Sequence, residues 1–401
     1  MENILNRFIR YAKIDTQSDE TSNTIPSTLK QLDLLNLLVD ELKEYGLEVT
    51  LDEYSRIYAH AKGNDNYPTI ALSSHVDTAP DYSGTNVNPL LVTNYDLSPI
   101  KLGNSKLILS PNEFPILKTL KGKTLLTTDG TTLLGADDKA GIAIIMHFIN
   151  EYLKMDVNSR HPLAITFTPD EEIGSGADYF DNQKLNAKYG YTLDGASPYD
   201  ASYENFNAFG ATLKIKGKSI HPGDAKGTMI SAIYVFNTFI SKLDPNKTPW
   251  LTENREGFNH CTDVKGDVSY LEASFILRNH DLNLLKEQIK NFEYAKEECL
   301  KQYPGVEIEL LIEEQYLNMY EIIKDNMESI DKIKKAYNAL NLPLEFSATR
   351  GGTDGARFSF LGCPCPNLGT GSYNHHGPYE FLVKEEMLIM VDVLKEIFKI
   401  S

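Results

Sequence analysis

The chain has 401 residues, 41% hydrophobic and 24% charged, a balance that excludes a disordered polymer and fits two to three domains or one large α/β domain with an insertion. Against 39 lysines and arginines stand 56 aspartates and glutamates, a formal net charge of −17 that repels nucleic acid and anionic lipid at long range. No apolar stretch approaches the about 20 residues of a membrane span, no signal peptide is visible, and four cysteines make no disulfide framework, so a reducing cytoplasm is expected.

A short helix is predicted from about Asn3 to Ala12 and a longer one from Ser27 to Tyr45. In the second, Leu32, Leu34, Leu35, Leu37, Leu38 and Leu42 sit close to a period of 3.6, and Gly46 supplies a stop. Short apolar runs follow, each ending in polar residues: Thr69–Leu72 before Ser73-Ser74-His75, Leu163–Phe167 before Thr168-Pro169-Asp170, and Gly190–Leu193 before Asp194-Gly195. A helix pattern, Lys139–Lys154, separates the first two. Strands alternating with helices predict an α/β fold with a mostly parallel central sheet and helices on both faces. Ligands gather at the carboxyl ends of such strands, where the sequence puts His75, Glu171, Glu172 and Asp194.

From about Phe206 to Ile312 the pattern changes. Strand-like pieces (Ala211–Lys216, Val268–Leu277, Val306–Leu311) mix with helical ones (Met229–Leu243, Leu282–Gln302), as in a small α+β module. Helix returns at Met327–Leu340, ahead of a glycine-rich segment in which Cys363 and Cys365 read as two small packed residues. The expected organisation is a discontinuous catalytic domain, 1–205 and 318–401, interrupted by an inserted α+β lid, 206–317.

Five constellations carry chemistry. In His75-Val76-Asp77, residues i and i+2 of an extended segment face the same way, so a carboxylate can orient the imidazole. Gly135-Ala136-Asp137-Asp138-Lys139 opens the apolar helix, with Asp137 on its loop side. Asp170-Glu171-Glu172 sets three acids in a row after a buried strand, a repulsion that bulk water or a divalent cation must relieve. Asp194-Gly195 ends another strand, and Asn374-His375-His376 lies in a loop. Each alone also fits a surface turn or a helix start, but three of the five fall at predicted strand ends. Mixed histidine and carboxylate sets suit zinc, manganese or cobalt. Five candidate ligands exceed what one open catalytic ion takes, so two metals are the natural count.

The segments SSHVDTAPDYSGTNVNP, TTDGTTLLGADDKAG, TPDEEIGSGA, YTLDG, SIHPGDAKGTMISA, RGGTDGARFSFLGCPCPN and YNHHGPYEF run in one order from near residue 70 to near residue 381. On these the sequence resembles the peptidase T family of cytoplasmic tripeptide aminopeptidases, within the di-zinc metallopeptidase superfamily that also holds carboxypeptidase G2-like enzymes. HVDT, GADDKAG and DEEIG carry the superfamily resemblance; RGGTDGA and the long insert between Asp77 and Asp137 narrow it to peptidase T.

The resemblance implies a zinc-exopeptidase-like catalytic domain holding two Zn2+, with Co2+ or Mn2+ as substitutes. His75 and Asp194 would bind one ion, Glu172 and His376 the other, and Asp137 would bridge them. His376 is chosen over His375 by the family's His-x-x-x-Glu spacing, which Glu380 completes. Asp77 would orient His75, and Glu171 would be the general base. A turn after Pro169 must bring both adjacent glutamates to the metals.

From the lid, His221 would stabilise the oxyanion. Arg278, or after it Arg350, would pair with the carboxylate of a small peptide substrate. In relatives the lid can pair into a homodimer. Another hydrolase of the superfamily (a dipeptidase, a carboxypeptidase or an N-acyl amino acid deacylase) is the close rival reading. A nucleotide-binding protein is disfavoured, because neither G-x-x-x-x-G-K-[ST] nor G-x-G-x-x-G follows a strand.

Overall fold

The alternating buried strands and helices assemble, in a computed structural model describing residues 2–400, into an eight-stranded sheet. Its order is Glu48–Leu51, Ile57–Ala61, Leu163–Thr168, Ile70–His75, Tyr189–Gly195, Asn367–Gly369, Asp200–Asn205 and Glu345–Thr349. The four strands from Leu163–Thr168 to Asn367–Gly369 are parallel neighbours, flanked by antiparallel partners. Leu163–Thr168 and Ile70–His75 are buried at every residue, as expected of parallel strands covered on both faces.

One face is covered by Ala136–Lys154, which packs on Ile70–His75 and Tyr189–Gly195 and is itself overlaid by Ile4–Ala12 and Lys384–Phe398. That sandwich explains why Ile142, Ile144, Ile145, Phe148 and Ile149 are all buried, leaving only a narrow polar stripe of His147, Asn150, Glu151 and Lys154. Ala71 and Ala164, out of phase with Leu72 and Ile165, point to the opposite face. There they meet Phe180, Leu185, Phe358, Cys363 and Cys365. Cys363 and Cys365 are thus buried packing residues, and all four cysteines are free thiols.

A second sheet organises the long insert. Ser372-Tyr373, Phe381–Val383, Leu125–Thr127 and Leu90–Val92 pair antiparallel over a small core that includes Leu102, Leu117 and Phe381. This sheet fixes the loop 374–380 by both of its ends.

The chain divides into two compact units. The first holds the residues up to Tyr203, Glu321–Ser347, and Thr353 to the C-terminus; the second holds Glu204–Tyr320 and Ala348–Gly352. The division falls at Glu204 and Tyr320 rather than at 206 and 317, and includes a short excursion that no sequence pattern marks. The second unit has an antiparallel sheet ordered Phe258–Gly266, Tyr270–Asn279, Asn207–Lys216, Glu307–Tyr316. Helices Ala232–Ser241 and Leu282–Gln302 close its core through Val235, Phe239, Phe292 and Ala295 against Leu213, Phe275 and Leu277. Among the described residues no helix is long and apolar enough to cross a membrane.

Candidate metal centre

Three adjacent parallel strands deliver the chemistry to the carboxyl ends of the central strands in the first unit's sheet. Ile70–His75 ends in His75, Leu163–Thr168 runs on through Pro169 to Asp170, Glu171 and Glu172, and Tyr189–Gly195 carries Asp194 next to its end. The Ala136–Lys154 helix adds Asp137. Asp137 and Asp138 have non-helical dihedrals and the peptide between them is cis, so the regular helix begins at Lys139. Gly141 lets that helix come close. A Cβ there would lie 2.1 Å from the Leu193 carbonyl oxygen and 2.8 Å from Ser74 Oγ, so only glycine fits.

Asp137 stands between two histidines. Its Oδ1 is 3.0 Å from His75 Nε2, which lies 3.6 Å from Asp194 Oδ1. Its Oδ2 is 3.4 Å from His376 Nε2, which lies 3.0 Å from Glu172 Oε2. Donors about 2.1 Å from a tetrahedral ion are about 3.4 Å from one another, so these separations suit ligands of divalent cations. Glu172 Oε1 is buried with no hydrogen-bond partner among the described residues, an acceptor that a cation would satisfy.

Asp138 also forms a possible ligand group with His75 and Asp194, their atoms lying within 4.8 Å of one another. Its carboxylate is already engaged, however. The Ser74 hydroxyl donates to Oδ2, the His75 N–H donates to Oδ2 at 3.3 Å, and the Gly141 N–H donates to Oδ1 at 3.3 Å. Asp138 therefore braces the helix start against the strand end.

Three further carboxylates hold the centre in shape. Asp77 Oδ1 is 3.2 Å from His75 Nδ1, and the same carboxylate accepts the backbone N–H of Glu171 (3.0 Å) and of Glu172 (3.1 Å). One buried acid thus orients an imidazole and fixes both glutamates. Asp170, at φ +62°, makes the turn that two adjacent glutamates need. Its carboxylate accepts from Ser27 N–H (2.8 Å), Ser27 Oγ (2.5 Å) and Gln31 Nε2 (2.7 Å). Glu380 accepts the N–H groups of Leu134, Gly135 and Asp137 at 2.6, 2.9 and 3.0 Å, locking the loop that carries Asp137. The His-x-x-x-Glu spacing points to Glu380, but the bracing roles of Glu380, Asp138 and Asp170 have no sequence signal beyond adjacency to the site.

Of the doubled histidines, His375 shares a hydrogen bond with Ser372 Oγ (2.8 Å) and has Nδ1 3.3 Å from Asp137 Oδ2. His376 reaches Asp137 and Glu172 together through one nitrogen.

The charges are far from their ordinary balance. Burial, then the charge of Asp137, raises Glu172 to about 7 and Asp194 to about 6. Burial, then Asp194, holds the Glu171 carboxyl well above its usual range. Burial works against Asp137 as well, but His375, His376 and His75 outweigh it and hold this carboxyl well below its usual range. Hydrogen bonds that the protonated imidazole donates to Asp137 and Glu172 raise His376 to about 11. Left to itself, the cluster balances its carboxylates with protons on imidazoles. A divalent cation would balance them equally and leave the histidines neutral, as ligation requires.

The other candidate residues belong to the second unit. His221 is exposed, its Nδ1 accepting the Gly223 N–H at 3.1 Å. Arg278 Nη1 donates to the carbonyls of Phe209 and Leu277 at 3.2 and 3.0 Å, and its guanidinium lies 5.4 Å from the Tyr316 ring. Arg350 is tied down on more sides. Nη1 donates to the carbonyls of Asn254 and Glu256 (2.9 Å each) and Nη2 to Thr252 Oγ1 (3.0 Å), with the rings of Phe206 and Phe258 at 5.0 and 5.5 Å.

A family model described as Peptidase family M20/M25/M40 matches residues 129–399. The chain is 46% identical over 404 residues to a protein named peptidase T from Clostridium perfringens (strain 13 / Type A), covering 100% of this chain and 99% of that one. Among solved structures, a tripeptidase from Staphylococcus aureus subsp. aureus Mu50 superposes with a TM-score of 0.80 at 22% identity, covering 99% of this chain and 97% of its own. The aminopeptidase PepT from Bacillus cereus ATCC 10987 does so with a TM-score of 0.77 at 20% identity, with the same coverage.

Proposed function

Because this chain belongs to peptidase family M20/M25/M40, we propose that it is a metal-dependent aminopeptidase that releases the N-terminal residue of tripeptides. The observation that carries the reading is Asp137, whose two oxygens face two separate histidine–carboxylate groups. That is the arrangement of a bridging ligand between two ions. His75 and Asp194 would hold one, Glu172 and His376 the other, and Zn2+ fits this nitrogen and oxygen set, with Co2+ or Mn2+ as substitutes. Bound there, such ions would supply Lewis acidity toward the scissile carbonyl and lower the pKa of water.

The chain's own residues do the rest. Asp77 keeps His75 in the tautomer whose Nε2 carries a free lone pair. Glu171 lies outside both histidine–carboxylate groups, on a backbone fixed by Asp77 and Asp170. Its carboxylate takes a proton from the attacking water and hands it to the departing amine nitrogen, so one residue acts as base and then as acid. In the second unit, His221 offers an imidazole for the oxyanion, and Arg278, with fewer commitments than Arg350, offers a guanidinium for the substrate carboxylate. The four free thiols fit a cytoplasmic setting, and a homodimer through the second unit fits the family.

The test is product analysis of unblocked di-, tri- and tetrapeptides with zinc and with a chelator. Efficient release of the first residue from the tripeptide, abolished by the chelator, is expected. Cleavage of dipeptides or N-acylated amino acids in its place would retain the metal chemistry and overturn the substrate.

A further inference from the structure

We propose that Asp81 binds the α-ammonium group of the substrate and thereby selects the N-terminal peptide bond. This rests on the aminopeptidase reading above. In the bond that such an enzyme cuts, the α-nitrogen is only about 2.5 Å from the scissile carbonyl carbon. The ammonium must therefore sit beside the metal centre, and an anion there must be free to receive it.

Most acids at the centre are committed. Asp77 and Glu380 are buried and accept backbone N–H groups, and so does Asp138. Asp354 is buried and accepts the Thr168 hydroxyl. Asp81 differs. Its side chain is 64% exposed, and its one ion-pair contact among the described residues is Oδ2 to His376 Nδ1 at 3.4 Å. Because His376 Nε2 faces Asp137 and Glu172, Asp81 stands one imidazole ring away from the centre, on its solvent side.

Its position is built rather than incidental. The Gln17 side-chain amide donates to the carbonyls of Ala79 (3.1 Å) and Tyr82 (2.9 Å), bracing the loop on both sides of Asp81. The Leu133 N–H donates to the Ser83 carbonyl at 3.0 Å, tying the loop to the segment that leads into Asp137. A carboxylate held in place, exposed on one side and beside a candidate ligand on the other, is suited to a charge-assisted hydrogen bond with a primary ammonium.

The experiment compares a tripeptide with its des-amino analogue, in which hydrogen replaces the α-ammonium, on the wild-type protein and on Asp81→Ala and Asp81→Asn. The analogue is read as a substrate or, if it is not cut, as a competitive inhibitor. Asp81→Ala is expected to weaken the tripeptide by about 10- to 100-fold, mainly in KM, and to leave the analogue nearly unchanged. Zinc binding, followed by competition with a chelating dye, should not change. Equal losses on both compounds, or a loss of zinc affinity, would overturn the inference and leave Asp81 as a support for His376. A wild-type protein that releases no N-terminal residue would mean that the aminopeptidase reading itself has failed.

Discussion

Glu171 and Glu172 are neighbours in the chain with different surroundings. Glu172 Oε2 meets His376 at 3.0 Å, whereas Glu171 has no ion pair among the described residues. Their backbones are held by the same Asp77 carboxylate, so the side chains diverge from a common anchor. Glu171→Gln keeps the shape and removes the base. It should lower kcat by about 10²- to 10⁴-fold while metal content, read by atomic emission, stays that of the wild type. Away from the centre, His161 makes a prediction about pH. It is buried, with Nδ1 3.0 Å from the Pro68 carbonyl and Nε2 2.8 Å from Lys332 Nζ. Burial, only partly offset by the Pro68 carbonyl, lowers its pKa below the usual 6.5. As pH falls through about 6.5 the unfolded chain takes up a proton that the folded state resists, so stability drops on the acid side. His161→Gln should flatten the fall in melting temperature between about pH 7 and pH 5, and an unchanged slope would show that this histidine is not responsible.

At the scale of elements, the helix after the first turn region shows what a sequence reading can and cannot reach. The sequence predicts it from about Ser27, yet the helix begins at Gln31. Ser27 and Gln31 are held by Asp170 across more than a hundred residues of chain, and no local pattern records that contact. Asp170→Ala would leave the Ser27 N–H and the Gln31 amide without their buried acceptor. It should cost about 1–3 kcal/mol in urea unfolding and lower kcat, because the turn that aims Glu171 loosens. The three strand-to-acid junctions were legible because each strand is a buried apolar run broken by polar residues at its carboxyl end. Phe258–Gly266 was not legible, since FNHCTDVKG lies largely exposed at a sheet edge and lacks alternation. Asn367–Gly369 is three residues long among prolines and glycines, and its pairing with Tyr189–Gly195 is set by the sheet.

For the whole molecule, an insertion between the first and second sections of the first unit was readable from the change in strand pattern near Phe206. The return of Ala348–Gly352 to the second unit was not, because five residues carry no periodicity. It divides the RGGTDGA motif: Arg350, Gly351 and Gly352 fall in the second unit, and Thr353 and Asp354 in the first. A centre made of mutually repelling carboxylates also couples metal to folding. Stripping the metal should lower the melting temperature, and re-adding it at about 100 times its Kd should restore about 2.7 kcal/mol per site. The most direct test of the account is to titrate zinc into the stripped protein while recording release of the N-terminal residue from a tripeptide. A two-ion centre predicts no activity at the start and a rise that levels off at two equivalents per chain. Activity that is present without zinc, or that saturates at one equivalent, would contradict it.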